Sequence, residues 1–263
     1  MAVTLPFAVV PTPFTVFNSS EIASRPASHL AEFDSIGMIW RSEAGDNNHF
    51  VYGDFGSAQE IDFVSLVHAN AVSGTTWRFL LGNASSLASP TYSTAYGPFI
   101  NPSITRADGL YSSHHEFTAA SGRYFLFQVT NSGPFEAAKL IIGKKVTPAT
   151  FYTPGWGQGV EDMGDVDVGR YGIADETPGR ILRSLQMRLG WLSESDFETK
   201  FRALVEKLGK RRPALWCLDP TANAYRQART YYGWLRNRPV TLHTANTPDG
   251  PRFEQEFDIL SMI

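Results

Sequence analysis

Over residues 18–147, apolar side chains come in short runs between turn-forming residues, and almost no stretch has the spacing of a helical face. The runs at 61–67 and 75–81 alternate apolar and polar residues, as half-buried strands do. Aromatic residues make up 13% of the chain, which suits sheets because flat rings pack well on a pleated surface. The sequence therefore predicts a mainly β fold, with these two runs as core strands of a β-sandwich.

Two more strands are predicted later in the same region, at 123–129 and 137–142. In the first of them, Phe125, Phe127 and Val129 share one face. The intervening Asn-Ser-Gly-Pro at 131–134 is rich in turn formers. The sequence predicts that the two strands form a hairpin through this turn.

Three segments of this region carry a family resemblance. Residues 38–42 (Met-Ile-Trp-Arg-Ser), residues 51–62 and the pair Arg123-Tyr124 resemble the discoidin-type, galactose-binding-like jelly roll, in which a tryptophan strand precedes an Asp-aromatic-Gly segment and an Arg-Tyr strand follows later. The resemblance covers about residues 18–146. Independently of it, residues 54–56 (Asp-Phe-Gly) predict a tight turn with positive φ at the glycine, and Trp40 and Phe55 supply large apolar area for a two-sheet core.

The resemblance implies a site for glycans or lipids in the loops at one end of the sandwich. The loops at 82–98 and 107–116 carry the aromatic and polar side chains that sugar sites use, although no ligand residue of the family can be transferred to them. The alternative is a solvated loop region whose tyrosines pack on the rim of the sandwich. The candidate carbohydrate-binding residues are Asn83, Tyr92, Tyr96, Asp108, Tyr111 and His114.

The composition changes at 147–159, where Pro and Gly interrupt the chain, and this predicts a domain junction. Residues 180–192 alternate as a strand, and Ser193, three residues before Asp196, predicts the cap of a helix that ends at Gly209. Four strands are predicted after it, at 213–220, 229–235, 240–245 and 252–259. The resulting organisation is an N-terminal arm at 1–17, a galactose-binding-like jelly-roll β-sandwich at 18–147, a linker at 148–179, and a small α+β domain at 180–263 with one helix on an antiparallel sheet.

The last region resembles minor tail proteins of long-tailed bacteriophages, of the distal-tail and tail-tip type. The residues that carry the resemblance are 212–220, 225–227, 231–233 and 256–259. It implies a structural role in the virion, at the phage tail tip or baseplate, for a protein made in the host cytoplasm. The implied partners are other tail proteins, such as the tail tube and hub, and further copies in a ring.

Arginine and large aromatic residues, which are enriched at protein interfaces, cluster in the same region and predict a subunit contact, with an ordinary exposed strand as the alternative. One helix on a sheet would leave the other sheet face uncovered, and the apolar end at 259–263 would need a partner to cover it. The interface candidates are Arg226, Arg229, Tyr231, Tyr232, Trp234 and Arg236, with Arg238 beside them.

Catalytic and cofactor motifs are missing from the sequence: it has no nucleophile elbow, phosphate loop, dinucleotide fingerprint or zinc-protease helix. We therefore expect no enzymatic activity and no cofactor. The acidic run at 161–167 matches no calcium loop, and adjacent His114 and His115 would point to opposite faces of a strand, so no metal is expected. Cys217, the single cysteine, is expected to be buried and inert.

Charge and hydropathy limit the partners further. The formal net charge of −3 gives no excess of positive charge for phosphates, so nucleic acid is not expected. The longest apolar run, near residues 5–13, is too short to span a membrane. Two functions remain: a structural component of a phage tail tip whose jelly roll displays a glycan site, or a stand-alone lectin-like protein or accessory module of a glycan-active enzyme.

Overall fold

The computed structural model describes residues 5–43, 47–149, 155–168, 170, 174–237 and 239–262; Arg238 and Ile263 lie outside them. The strands are β1 Phe7–Val9, β2 Thr15–Ser19, β3 Trp40–Arg41, β4 Asn48–Val67, β5 Thr76–Gly82, β6 Tyr92–Ser93, β7 Gly97–Pro98, β8 His115–Thr130, β9 Glu136–Ala137, β10 Lys139–Gly143, β11 Lys145–Val146, β12 Gly157–Asp162, β13 Asp165–Val168, β14 Ala174–Thr177, β15 Ile181–Ser193, β16 Ala214–Cys217, β17 Thr230–Leu235, β18 Thr241–Thr247 and β19 Gly250–Ser261. A 3₁₀ helix spans Ala27–Ala31, and helix 194–208 consists of α-helical Glu194–Asp196, a π-helical turn at Phe197–Phe201 and α-helical Arg202–Leu208. The mainly β architecture predicted from the sequence is confirmed.

The first sheet builds the sandwich. Its strand order is β10-β4-β8-β5-β6, with β2 added to β4 and β7 added to β5. The two long strands β4 and β8 pair in two stretches. Residues 48–54 of β4 pair with 124–130 of β8, and after a register shift residues 59–64 pair with 115–122. Residues on both sides of this irregularity, including Val51 and Leu66, line one apolar core. The long strands therefore contribute to both layers of the sandwich.

Several local predictions for this region are confirmed. Trp40 is fully buried in the core, and its indole Nε1 donates to the carbonyl oxygen of Ser20 at 2.9 Å. The predicted positive φ of Gly56 is also present, at 80°, and its amide donates to Asp54 Oδ1 at 2.7 Å, but the predicted tight turn is wrong because β4 continues through these residues with a register shift. The predicted hairpin through 131–134 is wrong: β10 pairs with β4, which lies between β10 and β8. Strand β8 does end just before these residues, but the partner of the next strand is determined by the tertiary fold.

The second sheet has the order β11-β1-β16-β17-β19-β15-β12, with β18 added to β19. Helix 194–208 packs on one face of it through Phe197, Phe201, Leu204 and Leu208, which join Leu185 and other strand residues in a second apolar cluster. Ser193 Oγ accepts from the amide of Asp196 at 3.1 Å, and Gly209 ends the helix with a φ of 51°. The predicted helix on an antiparallel sheet is confirmed.

The other face of the second sheet is also covered, contrary to the sequence expectation. A third apolar cluster joins Phe63, Val67 and Ile141 of the first sheet to Leu215 and Tyr232 of the second, among others. The phenol of Tyr232 donates to the carbonyl oxygen of Phe33 at 2.7 Å. The two sheets therefore share a buried interface within one chain.

The same interface covers the end of the chain. Ile259 and Met262 are buried in apolar clusters of this chain. The expectation that a partner must cover the apolar end at 259–263 is therefore corrected for its described residues. The physical reason is that β19 is an inner strand, paired to β15 and β17.

The terminal and connecting segments also differ from their predicted form. Part of the predicted arm at 1–17 is strand β1, which is buried and pairs with both β11 and β16. Part of the predicted linker at 148–179 is strand β12, which pairs with β15 along its length. Gly and Pro indicated a linker from composition alone, whereas long-range strand pairing orders the residues around them. The domain boundaries themselves stay predictions.

Candidate functional site

The side of the first sheet that points away from its apolar core carries a group of partly exposed side chains, mostly aromatic and polar, around the buried Leu126; we call this side the outer face. Side chains alternate between the two faces of each strand. Because Val51, Phe127 and Phe79 point into the core, the residues next to them in sequence point outward. The outer face consists of Phe17 on β2, Phe50, Tyr52 and Asp54 on β4, Tyr124, Leu126 and Gln128 on β8, Arg78 and Leu80 on β5, and Tyr96 just before β7.

The strand register arranges these residues in rows. Arg78 lies opposite Gln128, and Gln128 lies opposite Phe50. In the next row, Leu126 lies between Leu80 and Tyr52. Because residues that are directly opposite in an antiparallel pair share a face, each row forms a continuous strip across three strands.

Four rings in contact with one another as a chain, those of Phe17, Phe50, Tyr52 and Tyr124, form the main aromatic part of the outer face. The centroid of Phe17 lies 5.8 Å from that of Tyr52 and 6.1 Å from that of Tyr124. The centroids of Phe50 and Tyr52 are 5.9 Å apart. Phe17 is 51% exposed, and the other rings are half-buried. The rings therefore support one another and still present area to solvent.

Arg78, Tyr96 and Gln128 form a polar group next to these rings. The guanidinium carbon of Arg78 lies 4.8 Å from the ring centroid of Tyr96, a cation–π contact. Gln128 Oε1 accepts a hydrogen bond from Arg78 Nε and another from the phenol of Tyr96 at 3.3 Å. The guanidinium is thus fixed by a ring on one side and by an amide at its Nε.

A second arginine lies at the opposite end of the outer face, but its charge is neutralised. Arg123 donates to both carboxylate oxygens of Asp54 at 2.8 Å. The hydrogen bonds from Arg123 are the main cause that lowers the pKa of Asp54, and the amide of Gly56 adds to them. Asp54 is therefore ionised at neutral pH and already has its partners.

The candidate residues of the loops have separate surroundings. Asn83 is exposed. The phenol of Tyr92 lies 2.7 Å from His115 Nε2, and its ring stacks on Phe117 at 4.0 Å. Tyr96, 44% exposed, belongs to the outer face.

The second loop is held by its own contacts. Asp108 forms an ion pair with Arg106 at 2.6 Å, and this hydrogen bond is the main cause that lowers the pKa of Asp108 to about 2. The phenol oxygen of the buried Tyr111 accepts from the amide of Arg106 at 3.2 Å. These contacts hold the loop together.

His114 lies in a partly buried polar cluster with Glu116 and Lys145. Glu116 contacts His114 Nε2 at 3.0 Å and Lys145 Nζ at 2.7 Å. Burial lowers the pKa of His114, so the imidazole is neutral at pH 7 and the contact is a hydrogen bond to a carboxylate. Burial alone would raise the pKa of Glu116, but the hydrogen bonds from His114 and Lys145 lower it to about 2.

The candidate interface residues make contacts within the chain. Tyr231 and Tyr232 are buried, and Trp234 packs against the third apolar cluster. Arg226 is buried and donates to the carbonyl oxygens of Asn101 and Pro220. Whether any of them also touches another subunit stays a prediction.

The two remaining interface arginines are in ion pairs. Arg229 lies 2.6 Å from Asp219, and Arg236 lies 3.1 Å from Glu161.

Cys217 is buried, and this burial raises the pKa of its thiol to about 12. The thiol is therefore protonated at neutral pH.

Sequence reasoning missed most of the outer face. It placed Phe125, Phe127 and Val129 on one face of a strand but drew no conclusion about the residues between them. The signal was present: Phe50 and Tyr52 alternate with core residues on β4, and Tyr124 and Gln128 do so on β8. Aromatic side chains on the solvent side of a strand are the sign of a binding surface, once neighbouring strands are known to place them together.

The described residues form neither a membrane-spanning helix nor a metal-binding cluster. Within the part of the chain that the structure describes, no helix has the length and apolar content to cross a bilayer. In the same ranges, no three His, Cys, Asp or Glu side chains converge so as to hold a metal ion.

Comparison with known proteins finds structural likeness alone. No protein-family model matches the chain, and no curated protein matches it. A chitosan-binding module of a chitosanase/glucanase from Paenibacillus sp. IK-5 is similar to 52% of this chain over 97% of its own, with 20% identity and a TM-score of 0.36. The family 32 carbohydrate-binding module of C. perfringens NanJ, in complex with galactose, is similar to 53% of this chain over 100% of its own, with 14% identity and a TM-score of 0.40. The lectin-binding domain of Lectinolysin, complexed with Lewis b, is similar to 51% of this chain over 92% of its own, with 14% identity and a TM-score of 0.36.

Proposed function

We propose that this protein binds carbohydrate, without catalysis, through the outer face of its β-sandwich. The observation that carries the proposal is that exposed Phe17 contacts the rings of both Tyr52 and Tyr124, on the same face of the sheet as the amide of Gln128 and the guanidinium of Arg78. Aromatic faces stack on the C–H groups of sugar rings, while amides and guanidinium groups bind hydroxyl oxygens.

The size of the outer face fits an oligosaccharide. Strands β5, β8, β4 and β2 are neighbours in that order, so the face is about 14 Å wide at about 4.8 Å per strand step. Its three rows of outward side chains extend about 13 Å along the strands at about 3.3 Å per residue. A surface of this size accepts a short linear glycan better than a single sugar.

The carboxylate of the outer face is not arranged for glycoside hydrolysis. Glycoside hydrolysis needs a pair of carboxyl groups that flank the scissile bond. Asp54 is the carboxylate of the outer face, and Arg123 occupies both of its oxygens. The groups that remain suit binding and not bond cleavage.

A glycan array followed by calorimetric titration of the best ligand tests the proposal. We expect Phe17→Ala and Tyr52→Ala each to weaken binding by about tenfold or more, because each removes a stacking ring. Tyr225→Ala, which removes an exposed tyrosine from the region after β16, is the matched control and should leave binding unchanged. If no glycan binds, or if both outer-face variants bind as the wild type does, the proposal is wrong.

The loop site expected from the family resemblance gives a different result in the same titration. Asn83→Ala and Asp108→Ala remove exposed groups of the two loops and leave the outer face intact. Loss of binding in these variants, with Phe17→Ala unaffected, would assign the ligand to the loops. We expect both loop variants to bind normally.

A second candidate is the tail-tip role, in which the chain joins further copies of itself and other tail proteins in a virion. The observation that favours an assembly surface is strand β12, at the edge of the second sheet, where Val160 is 69% exposed. Light scattering of the full chain, alone and with tail tube and hub proteins, tests this role. A monomer that ignores these partners would exclude it.

A further inference from the structure

We propose that the outer face selects acidic glycans, with Arg78 as the residue that binds a carboxylate or sulfate group of the sugar. This inference rests on the proposed function, because it assigns the ligand class of the same site. It depends on Arg78 and not on the stacking rings, so the choice of acidic ligands and the binding through the rings can fail separately.

Arg78 differs from the other arginine of the outer face in its partners. Among the described residues, no carboxylate forms an ion pair with Arg78, and its contacts are the ring of Tyr96 and the amide oxygen of Gln128. Arg123 of the same face, by contrast, has a bidentate partner in Asp54. When Arg123 is counted together with its partner Asp54, the outer face carries one net positive charge, located at Arg78.

The geometry of Arg78 suits an anion. Its Nε is bonded to Gln128, and the two terminal nitrogens have no bonded partner among the described residues. A planar guanidinium binds carboxylate or sulfate oxygens through two parallel N–H donors, and these bonds are stronger than those between neutral groups. The contacts to Tyr96 and Gln128 fix the side chain in advance, which lowers the entropy lost on binding.

The position of Arg78 relative to the rings defines the length of the ligand. Gln128 separates Arg78 from Phe50 in one row, so the two are about 10 Å apart at about 4.8 Å per strand step. Tyr52 lies in the next row of the same strand. A disaccharide unit can therefore place an anionic group at Arg78 and stack its other ring on Phe50 or Tyr52.

The experiment compares ligands that differ only in charge. Oligogalacturonate and its fully methyl-esterified form test a carboxylate, and dextran sulfate and dextran test a sulfate. We expect the wild-type chain to bind at least one acidic form about tenfold or more tightly than its neutral counterpart, as a hydrogen-bonded charge pair gives. Arg78→Gln should remove this preference by lowering the affinity for the acidic form to that for the neutral form.

Three further variants separate the effect of the planar guanidinium from general charge attraction and from stacking on the rings. Arg78→Lys keeps the charge but loses the planar donor pair, so its preference should fall between those of wild type and Arg78→Gln. Arg211→Gln removes an equal charge after helix 194–208, outside the first sheet, and should change nothing. Tyr52→Ala should weaken acidic and neutral ligands alike. Thermal melting of each variant checks that it is folded.

Distinct outcomes overturn the two proposals. If acidic and neutral forms bind equally, or if Arg78→Gln keeps the preference, the role of Arg78 is wrong while binding through the rings stands. If Arg211→Gln lowers the preference as much as Arg78→Gln does, the effect is general charge attraction and the inference also fails. If the wild type binds neither form of either pair, the inference fails, and the glycan array then decides the proposed function.

Discussion

Trp40 is the largest fully buried side chain of the sandwich, and it also makes a hydrogen bond through its indole nitrogen. We expect Trp40→Ala to lower the free energy of unfolding by about 3–5 kcal/mol, because it leaves a large cavity and removes the partner of the Ser20 carbonyl. Urea unfolding measures the change. Phe17→Ala, at an exposed ring, is the control and should cost well under about 1 kcal/mol; equal costs would contradict the burial of Trp40.

Gly233 shows a residue whose identity is required by a close backbone approach. A Cβ atom there would lie 1.9 Å from the carbonyl oxygen of Leu260, on the strand that β17 pairs with. We expect Gly233→Ala to destabilise the chain by about 1–3 kcal/mol or more, since backbone must move to make room. Gly37→Ala is the matched control, because nothing lies within 4 Å of its Cβ position. Equal melting temperatures for the two variants would argue against this packing.

Glu116 makes stability depend on pH. Its pKa in the folded protein is about 2, below the ordinary value of 4.5, so the carboxylate stabilises the fold above about pH 4.5. This contribution is lost as the pH falls from about 4.5 toward 2, because the unfolded chain takes up the proton first. The stability difference between wild type and Glu116→Gln, measured by urea unfolding, should shrink over that range. A constant difference would mean that the hydrogen bonds from His114 and Lys145 do not lower the pKa of Glu116.

At the scale of elements, the start of helix 194–208 was predicted from its cap. Ser193 Oγ accepts from the amide of Asp196, so Ser193→Ala should cost about 1 kcal/mol of stability. Ser195→Ala, two residues later on the exposed side, keeps the helix and removes no cap. Thermal melting compares the two; if Ser195→Ala is the more harmful, the cap is not at Ser193.

The elements also show which predictions local chemistry allows. The caps and the apolar spacing of helix 194–208 are contained in its own residues, and so is the positive φ of Gly56. The hairpin through 131–134 failed because a turn signal does not say which strand lies beside the next one. Strand β12 was predicted as linker for a similar reason, since its pairing partner β15 comes much later in the chain.

At the scale of the whole molecule, the third apolar cluster joins the two sheets. Because Phe63 on the first sheet and Leu215 on the second are both fully buried there, the full chain should unfold in one cooperative transition. Phe63→Ala and Leu215→Ala should each lower the midpoint of that same transition in calorimetry. Two separate transitions, each shifted by one variant alone, would mean that the sheets unfold independently. That result would favour the prediction that residues 18–147 fold alone.

The sequence by itself determined the strand-rich class, the helix with its caps, the buried tryptophan and the inert surroundings of Cys217, because each depends on local spacing or on side-chain chemistry. The tertiary structure decided which strands pair, and thereby which side chains meet. It buried Tyr231, Tyr232 and the chain end within one molecule, and it gathered Phe17, Tyr52, Arg78 and Tyr96 from four separate segments onto one surface. Residues so far apart in sequence carry no local sign of their contact, since strand pairing is set by the packing of the whole chain.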